Sequence, residues 1–201
     1  TPKENTERPV DSVNWYNALV FCNLLSAAEG YTPVYSIGGS KNPADWGVAP
    51  NTNDSTWNAA IADWSADGYR LPTEAEWQWA AMGATDSPAK LFAGDNGSGV
   101  VGDYAWYTAN SSNATHTAGT KIANELGIFD LSGNVSEWCW DWYGGYPAGA
   151  QTDYRGPSSG MNRVMRGGHW DASTDLLTVA ERLHSEAPSF QGHKYGFRVV
   201  R

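Results

Sequence analysis

The chain has 201 residues and a formal net charge of -9, with 22 acids against 13 bases, so it offers no basic cluster to neutralise phosphates and nucleic acid is excluded as a partner. Nothing in it approaches the ~18 consecutive apolar residues of a membrane span. With 22 Gly, 11 Trp, 10 Tyr and no visible linker, a single domain over residues 1–201 is expected, built on an aromatic core or a broad sticky surface.

Residues 1–9 are polar and read as a tail. The chain starts at Thr1 with no Met and no signal-peptide apolar segment, so a trimmed, mature form is expected. Asn14 is placed to cap a helix whose face carries Trp15, Leu19, Cys22 and Leu25, and Gly30 stops it. Thr32 to Ile37 predicts a short strand bounded by Gly38-Gly39. Residues 38–56 predict a loop, and Trp57 to Trp64 a short strand plus turn. A second helix is marked more sharply: Thr73 at the N-cap and Glu76 three residues on form a capping box, with Trp77, Ala80 and Ala81 on the packed face. Arg70, just before the cap, needs a carboxylate partner beside so many aromatics.

Residues 83–103 predict a turn-rich connection. Gly127 to Leu131 reads as a short buried piece, Ser132 to Val135 as a turn, and Glu137 to Tyr143 as an aromatic-rich strand. The two cysteines, Cys22 and Cys139, are expected to be buried small hydrophobes, with a disulfide between them left open. No zinc-type spacing is present.

Residues 163–201 have two layers. Arg166-Gly167-Gly168, Trp170, Val179-Ala180, Arg182, Pro188 and Gly196-Phe197-Arg198 read as framework. Between them lie Asp171, Ser173, Leu177, Leu183, His184, Ser185, Ser189, Phe190, His193 and Tyr195, with neither a 2-residue nor a 3.6-residue period; with Trp170 and Glu181 they make the candidate ligand-binding set. Such a segment predicts an ordered surface loop, where binding residues concentrate. Trp170, Phe190 and Tyr195 are the candidate aromatic anchors, and the polar members supply readout.

The motifs GYRLPTEAEWQWAA (68–81), LGIFDLSGNVSEWCWDWY (126–143), RVMRGGHW (163–170) and YGFRVVR (195–201), with PVDSVNWYNALVFCNLL (9–25) as a first helix, resemble the formylglycine-generating-enzyme (sulfatase-modifying factor) family in order and spacing. The resemblance covers nearly the whole chain. It implies an α+β, C-type-lectin-like fold with two helices, short antiparallel sheets and many ordered loops. In that family a pair of cysteines after the Gly-Gly-aromatic motif carries the oxidation. Ala172 and Leu177 stand at those places here, so no catalytic residue is assigned and no redox cofactor is required. The four histidines show no H-x-x-x-H pairing for an iron site. Asn134 and Glu137 match the residues that help hold a structural calcium in the family.

The chain is also similar to variable proteins diversified by retroelements, which place a variable region between RGG-x-W and GFR. That likeness implies a non-catalytic, extracellular or cell-surface protein, with 163–201 as the variable region and a protein or cell-surface ligand as partner; the sequence leaves the oligomeric state open, a monomer being favoured. An oxidoreductase of altered chemistry and a structural domain without a ligand are the alternatives.

Overall fold

The computed structural model describes residues 7–84, 90–95, 100–182 and 185–201. Helix α1 (Trp15–Ala28) begins as its sequence dictates. Asn14 accepts the Asn17 N–H at 2.8 Å, and Asn17 returns the bond to the Asn14 N–H at 3.1 Å. Trp15, Leu19 and Cys22 are buried on its inner face, while Leu25 is only half-buried. Strand β1 (Tyr35–Ser36) is shorter than the expected 32–37. The reason lies in α1: the Asn23 amide takes both main-chain groups of Tyr35, at 2.7 and 3.0 Å, where a neighbouring strand would otherwise sit. Pro33, moreover, has no N–H to donate.

The expected strand around Trp57 is corrected. Asp54 accepts from the N–H groups of Thr56 and Trp57, and that cap starts a single helical turn, α2 (Ser55–Asn58). Only then does the chain enter β2 (Ile61–Ala62), antiparallel to β1. Helix α3 (Glu74–Ala81) carries the capping box read from Thr73 and Glu76. Glu76 also receives both Arg70 guanidinium nitrogens, at 2.6 and 2.7 Å, so Arg70 has the carboxylate its surroundings required. Within 83–103 a fourth short helix, α4 (Val101–Tyr104), stands where only a connection was expected. In 127–131 Leu131 alone is buried; Phe129 is 41% exposed, so that segment is a surface loop and not a buried piece.

The main sheet holds β3 (Ser136–Trp142), β4 (Arg163–Arg166), β5 (Ser185–Glu186) and β6 (Tyr195–Gly196) in the order β5-β4-β3-β6. Strand β3 lies antiparallel to β4 and parallel to β6, which brings the chain's last residues back beside its aromatic strand. Trp138 and Trp15 are fully buried against one another's backbone: Trp15 donates its indole N–H to the Cys139 carbonyl and Trp138 to that of Val13. Each indole thereby satisfies its polar atom inside an apolar core. Cys22 and Cys139 are both free and buried, and burial pushes the Cys22 thiol up to about 12 and that of Cys139 well above its ordinary value. No helix among the described residues is long and apolar enough to cross a membrane.

Candidate functional site

Strand β4 delivers the chain into the site through Gly167 and Gly168, at φ +92° and +69°. Gly168 has no room for a side chain: a Cβ there would lie 2.5 Å from the Leu176 carbonyl oxygen. The Trp170 N–H then donates to the Asn134 carbonyl at 2.9 Å, and Thr108 donates to the carbonyl of Ala172 at 3.1 Å. A 3-10 turn over Thr174–Leu177 follows. Further along, the Trp15 N–H donates to the Pro188 carbonyl at 3.0 Å, and those of Ser12 and Ser136 to the carbonyls of Gly192 and Lys194 at 3.2 and 2.8 Å. The loops are thus pinned by backbone bonds to distant parts of the scaffold.

Two segments meet at the surface. Trp170, 8% exposed, is the floor between them: it donates its indole N–H to the His193 carbonyl at 3.1 Å, and the His193 ring stacks on it at 5.6 Å. Lys194 reaches across to Asp171 at 2.6 Å and holds its carboxyl below the usual carboxylate range. Phe190, 39% exposed, meets Tyr195 edge-on at 5.3 Å, and Tyr195 is half-buried. Asp171, Ser173 and His193 are exposed, and Ser189 is half-buried. Asp171 and His193 therefore flank Trp170, with Ser173 two residues on along one segment and the Phe190–Tyr195 pair on the other. Gln191 bonds to Asn17 and Asn51, at 3.4 and 3.2 Å. Neither Lys194 nor Gln191 was singled out from the sequence; both pair with residues far along the chain, and no local pattern encodes that.

Other sequence candidates go elsewhere. Leu177 is a correction: its side chain is fully buried with Ala172, Phe92, Val101 and Ala105, so it is a core residue. The two positions that would carry the cysteine pair thus pack together as apolar core. Glu181 is half-buried beside Arg166, which donates to its carbonyl, and its carboxylate takes the Arg182 N–H at 2.6 Å. Ser185 pairs with Val164 in the sheet, near Asn162. Leu183 and His184 lie outside the described residues.

Asn134 and Glu137, the residues expected to help hold a calcium ion, are both engaged by protein groups. The Asn134 side chain is used in both directions by the His116 main chain, at 3.0 and 3.1 Å, and its backbone sits at φ 64°. The Glu137 carboxylate accepts from the Trp77 indole at 2.7 Å and from Arg198 at 2.5 and 2.6 Å. A guanidinium thus already neutralises the charge a cation would need. Among the described residues no group of three or more His, Cys, Asp or Glu is placed to hold a metal ion.

A larger concavity of about 650 Å³ lies elsewhere, over the start of α3, with Trp64, Glu74, Asp141 and Tyr146 in its walls. Glu74 is buried and takes Arg182 at 2.6 Å, while burial pushes the Asp141 carboxyl up to about 7. Periodicity gave no sign of this cleft, because its walls come from four separate segments.

Short strands, three capped helices and long pinned loops presenting a mixed face define a C-type-lectin-like scaffold of the formylglycine-generating-enzyme type. Residues 1–201 match the family model of the sulfatase-modifying factor enzyme 1-like domain, and the chain belongs to that family. It is similar in structure to Treponema denticola variable protein 1, with a TM-score of 0.88 and 40% identity over 99% of this chain and 73% of that one. It is 35% identical to the chaperone protein LppX of Paenibacillus barcinonensis, over 97% of this chain and 70% of that protein. It is 31% identical to the formylglycine-generating enzyme of Streptomyces coelicolor, over 72% of this chain but only 50% of the enzyme.

Proposed function

We propose that the protein is a non-catalytic ligand-binding member of the family, whose face around Trp170 is the ligand surface, diversified by a retroelement. The observation that carries this reading is the division of labour within 170–195. The backbone is fixed by distant hydrogen bonds, while the side chains of Asp171, Ser173, Phe190 and His193 are exposed. Side chains on a rigid frame lose little entropy on binding, so their contacts convert well into affinity. The likeness to a Treponema variable protein supports the same reading. A non-enzymatic role is supported by the apolar packing of Ala172 and Leu177 and by the burial of both thiols away from that face. By analogy with the variable protein, the ligand is a protein or cell-surface molecule met outside the cell.

A display experiment tests the surface. In a library randomised at Asp171, Ser173, Phe190 and His193 together, most members are expected to keep the wild-type melting temperature within a few degrees, and selection on an immobilised test protein such as lysozyme is expected to yield specific binders. Leu177→Ala, as the control, is expected to lose about 2–5 kcal/mol of stability. A library that mostly unfolds, or that never yields a binder, contradicts the proposal.

A further inference from the structure

Arg163 opens β4 and is 1% exposed. Its guanidinium lies between two indoles, with the Trp142 and Trp15 ring centres 3.5 and 3.7 Å from Cζ. Its Nη1 donates to the Trp140 carbonyl at 2.6 Å, but its Nε–H has no acceptor, and among the described residues no carboxylate pairs with it. A buried cation without a direct ion-pair partner is expensive, and burial holds this one down to about 9 against smaller opposing pulls from Tyr35, Tyr16 and Asp141. The ring faces stabilise it from above and below and leave the edge carrying Nε unmatched.

That arginine lines a cleft of about 350 Å³, separate from the Trp170 face. Its other polar walls are Arg155, Asn58, Ser158, Trp140 and Trp142, and it contains no Asp or Glu, in a chain with 22 acids and 13 bases. Arg155 is exposed, lines the cleft and rests on the Trp64 ring at 4.1 Å. Asn58 accepts from the Tyr16 hydroxyl through its oxygen, at 2.7 Å, which leaves its amide N–H groups to donate. The remaining lining is apolar: Ala59, Ala60 and Pro157 beside the indoles.

We infer that this cleft binds a small organic carboxylate, its two oxygens between the Arg163 guanidinium and Arg155 and its apolar body against Trp140 and Trp142. A guanidinium edge matches a carboxylate in geometry and charge, and the indole walls suit a carbon skeleton better than the hydrated shell of an inorganic dianion.

The test is isothermal titration of the full chain with benzoate at constant ionic strength, with chloride as the balancing salt and benzamide as the neutral isostere. Benzoate is expected to bind saturably and to raise the melting temperature, and benzamide to do neither. Arg155→Gln, an exposed change that leaves the fold intact, is expected to weaken benzoate at least about fivefold. Asp171→Ala/Phe190→Ala/His193→Ala is expected to bind benzoate as the wild type does, which separates this site from the Trp170 face. Equal behaviour of benzoate and chloride, equal binding of benzamide, an unchanged Arg155→Gln, or tighter binding of inorganic phosphate each overturns the assignment.

Discussion

Glu137→Ala is expected to cost about 3–5 kcal/mol, the loss seen when one partner of a buried ion pair is removed. Glu137 is 4% exposed and accepts three bonds, two from Arg198 and one from the Trp77 indole. Alanine leaves the Trp77 indole N–H without an acceptor inside the protein and the partly exposed Arg198 guanidinium without its carboxylate. For a chain of this size that corresponds to a melting temperature lower by roughly 10 °C or more. Glu137→Gln keeps an acceptor for Trp77 but not the charge, so it should fall between alanine and wild type. Thermal unfolding followed by near-ultraviolet circular dichroism checks both. A loss under about 1 kcal/mol for alanine would mean that Arg198 and Trp77 find other partners.

Gly168→Ala is expected to be comparably damaging, at about 3 kcal/mol or more. Two costs combine. A non-glycine residue at φ +69° is strained by about 1–2 kcal/mol. The new Cβ would also lie 2.5 Å from the Leu176 carbonyl oxygen and 2.8 Å from a Leu177 methyl, so the 3-10 turn would have to move. The turn is anchored: Ser132 donates to the Leu177 carbonyl at 2.9 Å, and Val179 to that of Leu91 at 3.0 Å. Damage therefore spreads toward Trp170, two residues along the chain. Urea unfolding measures it, and a variant as stable as the wild type would show that the turn yields without cost.

Much of the scaffold was legible because its signals are local. Asn14 and Thr73 sit at helix starts for reasons contained within three residues, and Arg70 announced its need for Glu76 by its neighbours alone. Trp57 was misread as strand, although Asp54 three residues earlier carries a cap signal strong enough for one helical turn. The face around Trp170 was legible only as a stretch without period. Which of its residues point outward depends on contacts that no local pattern encodes. Leu177 looked like a candidate until Phe92, Val101 and Ala105 were found around it. Lys194 gained its role by meeting Asp171 across 23 residues. The Arg163 cleft was hidden for the same reason: its walls come from α2, β3, β4 and the 155–158 loop, and only the fold brings them together.

The central claim is that a fixed framework carries a face whose side chains are free to change. It is tested most directly in the DNA around the gene. The proposal predicts a near-copy of the segment coding for residues 163–201, differing mainly at adenines, beside a reverse transcriptase gene, with the differences falling on exposed positions such as Asp171, Ser173, Phe190 and His193 and sparing Gly167, Gly168 and Leu177. A locus with no such copy, or one whose differences fall evenly on buried and exposed positions, contradicts it.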